Sequence, residues 1–302
     1  MDARRSKLHL YSLPNEVLVQ ILSSFSTLSL LPWAAVSHRF HALILRILHY
    51  RLLIGASLRE YKLILECFHP SSKLIEPHVF CTHLGTDGLS NLYDGKSSVR
   101  EDADPAQKLG RLGSIYSRFR PEVTVEERSN GARLVPLTDE DESMHHNNNN
   151  NNLVVRRPIN LEGFEDFSQL CVVVNIVKVM PGTNLLLSAH TVEDGVIRVF
   201  RDWLRDEEKR LREFNPEGAG TSQMLWVDSR KTAGIKVRVR GKKFLDQRIP
   251  ILVHRDEEQF TSYELDIEEL HIRAIDLLLT LEKSLEEQQN YYKTVVFTRS
   301  IE

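Results

Sequence analysis

The chain has 302 residues, of which 41% are hydrophobic and 27% are charged, and its formal net charge at pH 7 is -3. This composition is that of an ordinary globular protein with room for one large core or two small ones. The near-balanced charge argues against nucleic acid or an anionic membrane as the main partner. The three cysteines, Cys67, Cys81 and Cys171, show no Cys-x-x-Cys spacing. They therefore favour a reducing compartment over a disulfide framework.

No targeting or membrane-spanning segment is expected from the sequence. The N-terminal segment reaches Pro14 before any long apolar run, so it lacks the pattern of a signal peptide. No stretch approaches the roughly 18 consecutive apolar residues that a membrane helix needs. We therefore expect a protein of the cytoplasm or the nucleus, with no membrane partner.

The first fifty residues predict three short helices. The apolar spacing predicts a first helix from Pro14 to about Phe25, with Ser12 as its N-cap. Ser29 is the expected cap of a second helix, a register that puts Pro32 in the first turn, where its missing N–H costs nothing. Ser37 is the expected cap of the third helix. Together the helices carry more apolar surface than so small a unit can bury, which indicates a docking site.

The pattern changes to short apolar segments from residue 61 onward. We expect strands over residues 61–68, 77–81, 170–180, 184–189, 195–200, 224–227, 234–240, 250–254, 261–265 and 294–298. Longer helices are expected over residues 201–214 and 268–288. Residues 129–152 include an acidic run and six consecutive asparagines, a composition that predicts a disordered insertion.

These elements predict an α+β protein. A helical domain over residues 10–53 would be followed by a mainly β domain over residues 58–302, sandwich-like and accompanied by the two longer helices. The strand at residues 61–68 is expected to belong to the β domain. The asparagine-rich segment would then be a loop of that domain and not a boundary.

Residues 13 to about 53 resemble an F-box, the helical module that binds the Skp adaptor of SCF-type (Skp–cullin–F-box) ubiquitin ligases. The resemblance rests on Leu13-Pro14 followed by Glu16-Val17, on Ile21-Leu22-Ser23, on Leu30-Leu31, and on the closing segment Val36-Ser37-His38-Arg39-Phe40. The sequence departs from the F-box pattern at Ser29, where an acidic residue is common, and at Pro32. More distantly, the stretch from Arg51 onward resembles uncharacterised C-terminal regions of F-box proteins from filamentous fungi.

The F-box resemblance implies a specific set of adaptor-contacting residues. These are Leu13, Pro14, Glu16, Val17, Ile21, Leu22, Leu31, Val36 and Phe40. Their apolar side chains would form a ridge for helix-in-groove packing against adaptor helices. The alternative is that the same residues pack into the chain's own β domain.

No enzymatic, cofactor or metal site is expected. The sequence has no Gly-x-Ser-x-Gly elbow, no His-Glu-x-x-His, no P-loop and no Gly-x-Gly-x-x-Gly opening a helix. A thiolate paired with His69 or His83 is conceivable, but cysteines in apolar strands are typical of a core. His145 and His146 have no nearby cysteine and stand beside the asparagine tract, which is not the pattern of a metal site.

Two surfaces of the β domain are candidates for substrate binding. Lys236, Arg238 and Arg240 alternate with apolar residues, so that one strand face is basic and could bind a phosphorylated or acidic segment. The alternative is an ordinary solvated face of a half-buried strand. A glycan-binding alternative would use three aromatic residues whose more ordinary role is in the core: Trp203, Trp226 and Tyr263.

The sequence therefore predicts a non-catalytic, substrate-recruiting subunit of an SCF-type ubiquitin ligase. It would bind the Skp adaptor and, through the adaptor, a cullin, and would promote ubiquitin-dependent degradation by holding a protein substrate near the transfer chemistry. One alternative is an adaptor-bound scaffold, or a glycan- or ligand-binding module, without a role in degradation. Another is an orphan hydrolase or sugar-binding protein whose F-box match is incidental.

Overall fold

The computed structural model describes residues 10–56, 58, 60–73, 76–87, 105–123, 154–180, 186–213, 222–241 and 260–291. The expected insertion at 129–152 and the expected strands at 250–254 and 294–298 lie outside these residues. Contacts divide the chain into two compact units. The helical unit includes the described parts of Met1–Ser57, Thr86–Tyr116 and Ala274–Glu302, and the β unit includes those of Leu58–Gly85 and Ser117–Arg273.

The helices and strands of the described residues have the following bounds. The helices are α1 (Asn15–Leu22), α2 (Thr27–Leu30), α3 (His38–Ala56), α4 (Pro105–Leu112), α5 (Arg201–Glu213) and α6 (Ala274–Tyr291). Short 3-10 helices cover Leu10–Ser12, Leu31–Ala35 and Pro70–Ser72. The strands are β1 (Tyr61–Phe68), β2 (Val79–Thr86), β3 (Tyr116–Pro121), β4 (Val155–Leu161), β5 (Phe167–Val179), β6 (Leu186–Phe200), β7 (Gln223–Trp226), β8 (Ala233–Gly241) and β9 (Thr261–Arg273).

The ends of the N-terminal helices differ in part from the sequence prediction. The prediction of Ser12 as the cap of α1 is wrong, because Ser12 ends a 3-10 turn and Pro14 directly precedes the helix. The prediction of Ser29 as the second cap is also wrong: the cap of α2 is Ser26, whose Oγ accepts from the Ser29 N–H at 3.4 Å. Ser37 does cap α3, accepting from the Phe40 N–H at 3.3 Å.

The core of the helical unit combines side chains that are far apart in the sequence. Its buried members are Leu18, Leu22, Leu30, Ala34, Phe40, Leu43, Ile44, Ile47, Leu48, Leu52, Leu112, Ile115, Ala274 and Leu278. Most come from α1 to α3, but α4 and α6 each contribute. The Ala274 N–H also donates to the Ile115 carbonyl at 2.8 Å. The apolar excess of the N-terminal helices is therefore covered partly by helices of this chain, and α6, which we expected within the domain 58–302, is grouped with them.

The β unit is built on one nine-stranded sheet. Its strand order is β6-β5-β1-β2-β3-β9-β8-β7, and β4 pairs with β9 outside this path. All pairs with a described register are antiparallel. The predicted fold class is therefore confirmed as an N-terminal helical region followed by a mainly antiparallel β domain, with a curled sheet and two later helices.

Alternation along the long strands supplies the core of the β unit. On β5, Val172, Val174 and Ile176 are fully buried, and on β8 Ile235, Val237 and Val239 are fully buried. Side chains of a strand alternate between its two faces, so each of these sets lies on one face. The residues between them are more exposed, which leaves the other face of β8 available for charged side chains.

Two predicted boundaries in the β unit are wrong. Residues 184–189 and 195–200 were expected to be separate strands, but β6 runs continuously from Leu186 to Phe200 alongside β5. The last helix does not begin near Glu268, because β9 continues to Arg273. In β9, Leu270 and Ile272 are both completely buried, at the two-residue spacing of a strand. No helix within the described residues is long and apolar enough to cross a membrane.

Candidate functional site

A group of apolar side chains in the N-terminal helices remains exposed after the core has formed. The exposed members between residues 15 and 36 are Val17, Ile21, Phe25, Leu28, Leu31, Trp33 and Val36. We refer to these seven residues as the N-terminal apolar surface. Leu28 and Val36 are the most exposed of them, at 63% and 57%. Clustered exposure of this kind is typical of a site that binds another protein.

The residues predicted to contact an adaptor fall into two groups. Val17, Ile21, Leu31 and Val36 belong to the N-terminal apolar surface, and Pro14 and Glu16 are also exposed. Leu13 is half-buried against the core of the helical unit. Leu22 and Phe40, at 4% and 2% exposure, are core residues. These two side chains belong to the core on which the N-terminal apolar surface is built.

Three members of the N-terminal apolar surface were not among the residues predicted to bind an adaptor. Phe25 ends the apolar stripe of the first helix predicted from the sequence, so its spacing was a usable signal, although α1 itself ends at Leu22. Leu28 of α2 and Trp33 of the following 3-10 helix lie outside the apolar stripe of the first predicted helix, so that stripe gave no signal for them. The rings of Phe25 and Trp33 lie 6.5 Å apart, and Trp33 stacks on the buried Phe40 ring at 6.3 Å. Trp33 thus joins the surface to the core.

The start of α1 is held in place by an arginine from α3. The Arg39 Nε donates to Asn15 Oδ1 at 2.9 Å, and the Arg39 Nη2 donates to the Leu13 carbonyl at 2.5 Å. A charged donor to a backbone carbonyl is stronger than a neutral one. Arg39 therefore fixes the Leu13-Pro14 segment relative to α3, which gives the motif's Arg39 a structural role.

The predicted basic face of β8 is present, but each of its charges has an acidic partner on β9. Lys236 lies 3.6 Å from Glu269, Arg238 lies 2.5 Å from Glu268, and Arg240 lies 2.7 Å from Asp266. These cross-strand pairs are the arrangement that stabilises an antiparallel ladder. The strand face therefore carries three basic residues, but the acidic residues of β9 largely neutralise their charge.

Glu269 is the centre of the most connected part of this face. Its carboxylate lies 3.0 Å from His271 Nε2 and 3.8 Å from Arg118, in addition to Lys236. Burial acts to raise the pKa of Glu269, but the hydrogen bond with His271 and the charges of Lys236, His271 and Arg118 outweigh it and lower the pKa below the ordinary 4.5. Glu269 is accordingly held in its charged form.

Burial limits the reactivity of the thiols, and Trp203 and Tyr263 are held by a hydrogen bond and by burial, respectively. Burial raises the pKa of Cys67 to about 12, so its reactive thiolate is suppressed. Burial also raises the pKa of Cys81 and of Cys171. Trp203 Nε1 donates to Gln223 Oε1 at 2.5 Å, and Tyr263 is 4% exposed. Over the residues that the structure describes, no group of three or more His, Cys, Asp or Glu side chains could hold a metal ion.

The comparisons with known proteins bear on the N-terminal helices. The exposed apolar side chains and Arg39 both lie in this N-terminal segment. Residues 10–54 match the family model described as F-box-like, so this part of the chain is an F-box-like domain. Such domains generally bind Skp-type adaptors, and the proteins that carry them are generally non-catalytic subunits. No curated protein and no solved structure shows a significant match to the chain.

Proposed function

We propose that this chain is a substrate-recruiting subunit of an SCF-type ubiquitin ligase, acting in the cytoplasm or the nucleus. Its F-box-like domain binds a Skp-type adaptor and, through the adaptor, a cullin. The domain that begins at residue 58 recruits a protein substrate for ubiquitin-dependent degradation. The observation that carries the proposal is that the F-box-like match and the N-terminal apolar surface occupy the same helices.

The exposed side chains supply a driving force of the right size for adaptor binding. Complete burial of one large aliphatic or aromatic side chain contributes on the order of 1.5–3 kcal/mol. The N-terminal apolar surface offers several such side chains, each already part-buried, and a few anchor residues usually carry most of the binding energy of an interface. Leu28 and Trp33 are the best anchors, since Leu28 is the most exposed and the Trp33 ring is stacked on the buried Phe40 ring.

The proposal also names residues that would contact the substrate. We propose that the substrate contacts the basic face of β8, formed by Lys236, Arg238 and Arg240, because these side chains are partly exposed along one strand face. A substrate phosphate or carboxylate would have to replace their carboxylate partners on β9. Phosphate carries more charge and more acceptor oxygens than a carboxylate, so a phosphorylated segment is the better competitor.

The experiment that tests the proposal measures binding of a purified Skp-type adaptor by isothermal titration calorimetry. The test variant is Leu28→Ala, and the matched control is Leu187→Ala, which removes the same side chain from an exposed position on β6. Binding by wild type and by Leu187→Ala, with at least tenfold weaker binding by Leu28→Ala, supports the proposal. Absence of adaptor binding by folded wild-type protein refutes it.

A second measurement separates a ligase subunit from an adaptor-bound scaffold. The complete complex, with adaptor, cullin and conjugating enzyme, is assayed for ubiquitin transfer to a protein that binds the chain. Transfer that depends on Leu28 supports substrate recruitment. Stable adaptor binding without transfer to any bound protein favours the scaffold.

A further inference from the structure

A part-buried acidic residue of α6, Glu282, binds the first residue of α2. Glu282 Oε2 accepts from the Thr27 N–H at 2.8 Å, and Glu282 Oε1 accepts from the Thr27 hydroxyl at 2.7 Å. Thr27 is completely buried, although its neighbour Leu28 is the most exposed member of the N-terminal apolar surface. A buried backbone N–H needs an acceptor, and here the acceptor is supplied from 255 positions away.

Arg51 of α3 completes the same cluster. Its Nη1 donates to Glu282 Oε1 at 3.0 Å and to Thr27 Oγ1 at 3.0 Å. Its Nη2 donates to the Ser23 carbonyl at 3.1 Å and to the Phe25 carbonyl at 2.5 Å. One guanidinium therefore holds both the carboxylate of α6 and the backbone that connects α1 to α2. We call Thr27, Arg51 and Glu282 the interhelix polar cluster.

The cluster matters because α2 cannot hold its own position. It contains four residues, far below the length at which a helix is stable by itself in water. Its orientation must therefore come from contacts with the rest of the unit. Thr27 and Leu30 provide those contacts on the inner side, while Leu28 is turned outward. Phe25, which is also exposed, is fixed through its own carbonyl by Arg51.

We infer that the interhelix polar cluster positions the adaptor-docking surface, so that a residue of α6, far outside the F-box-like match, controls adaptor affinity. The inference rests on the proposed function. Thr27, Arg51 and Glu282 are positioning residues: the contact with the adaptor is made by Phe25 and Leu28, and the cluster holds them in the geometry that fits. The adaptor-binding module of this chain consequently includes α6.

The first test compares two substitutions that remove the same charge from the same helix. Glu282→Gln replaces the carboxylate of the cluster, and Glu286→Gln replaces an exposed carboxylate one turn later. Hydrogen bonds to a charged acceptor are about twice as strong as neutral ones. We expect Glu282→Gln to raise the Kd for a purified Skp-type adaptor about tenfold, a change equivalent to about 1.4 kcal/mol. Glu286→Gln should leave the Kd within about twofold.

Amide hydrogen exchange tests whether the cluster holds α2 and the preceding backbone in place. In Glu282→Gln, exchange should accelerate at Thr27 and across residues 23–31, while the strands of the β unit keep their wild-type protection. If Glu282→Gln is not folded at the assay temperature, Thr27→Val takes its place, because it removes the hydroxyl that accepts from Arg51 while keeping the side-chain volume. The same acceleration is expected there.

A double-mutant cycle with Leu28→Ala distinguishes positioning from general stability. If Glu282 acts through the placement of Leu28, the effect of Glu282→Gln on the Kd must shrink in the Leu28→Ala background. Equal effects in both backgrounds overturn the inference. So does wild-type affinity in Glu282→Gln, and in that case weaker binding by Leu28→Ala shows that the proposed function still stands. If folded wild-type protein binds no adaptor, the proposed function and the inference both fail.

Discussion

Asp266 on β9 and Arg240 on β8 form an ion pair of 2.7 Å in which the carboxylate is almost completely buried. The same carboxylate lies 3.2 Å from Arg156 of β4, so one acidic side chain joins the strands on both sides of β9. Burying a carboxylate is costly unless it is paired and hydrogen-bonded. This arrangement makes the basic residues of β8 part of the sheet's own stabilisation.

We predict that Asp266→Asn destabilises the β unit. Loss of the charge leaves two guanidinium groups without their common partner, but both are half-exposed and can be hydrated. We therefore expect a loss of about 1–3 kcal/mol in the free energy of unfolding, measured by urea denaturation. The exposed Asp194→Asn on β6 is the control and should change the stability by less than about 0.5 kcal/mol. Equal effects of the two substitutions would contradict the role given to Asp266.

The two groups of predicted adaptor residues should respond differently to substitution. Ile21→Ala removes an exposed side chain, so we expect weaker adaptor binding with a change in unfolding free energy of no more than about 0.5 kcal/mol. Leu22→Ala, next to it in sequence, removes a core side chain and should cost about 2–5 kcal/mol of stability. Calorimetric adaptor binding and thermal unfolding are measured on both variants. Together they distinguish a residue that contacts the adaptor from a residue that stabilises the core. A Leu22→Ala variant of wild-type stability would contradict the assignment of Leu22 to the core.

The lowered pKa of Glu269 predicts a defined pH dependence of stability. A carboxyl whose pKa is lower in the folded state contributes stability above its unfolded-state pKa of about 4.5. This contribution declines as the pH falls through the folded-state pKa, because protonation weakens the hydrogen bond with His271 and removes the charge interactions with Lys236 and Arg118. Unfolding free energies of wild type and Glu269→Gln should therefore differ most above pH 4.5 and converge at lower pH. Parallel curves over the whole range would show that the charge of Glu269 does not contribute.

The thiols should differ in reactivity with alkylating reagents. Cys67 is 1% exposed and its pKa is raised to about 12, so almost no thiolate is present or accessible near pH 8. Cys171 is only partly buried. Iodoacetamide at pH 8, followed by peptide mass spectrometry, should modify Cys171 first and Cys67 only after addition of denaturant. Rapid modification of Cys67 in the folded protein would contradict its core position.

Local sequence patterns were sufficient for elements whose apolar residues follow one clear period. The bounds predicted for β1 agree with the structure, and the start of α5 at Arg201 was also correct. The end of β9 was predicted as helix because the leucine and isoleucines of Asp266–Arg273 fit the spacing of a helix as well as that of a strand. Pairing with β8, a contact between distant parts of the sequence, decides in favour of the strand.

β4 was missed for a different reason. Its side chains alternate strictly between buried and exposed, but one of the buried positions is Arg157 and an exposed one is Pro158. Arg157 is accommodated because its guanidinium donates to the carbonyls of Cys67 and Pro77, at 2.5 and 3.1 Å. A sequence pattern treats a buried arginine as a solvated residue. Its hydrogen-bond partners become known only when the surrounding strands are placed.

In the candidate site, too, local sequence predicts some features, whereas others depend on contacts between distant segments. The F-box resemblance of the N-terminal helices is confirmed by the family match over residues 10–54, since it is a local pattern of about forty residues. It did not distinguish the exposed Ile21 from the buried Leu22, because which of the two is buried depends on how α1 packs against α3 in the helical core. The link between Thr27 and Glu282 has no signature in either segment alone.

That link also has a consequence for biosynthesis. A chain emerging from the ribosome presents its N-terminal helices first, but the carboxylate that accepts from Thr27 and the core residues Ala274 and Leu278 are synthesised long afterwards. Domains commonly fold during translation as soon as their residues are available. The core of the helical unit is therefore complete only after the residues of α6 have been synthesised. A nascent or prematurely terminated chain without α6 would therefore lack the acceptor of the Thr27 N–H and part of the helical core.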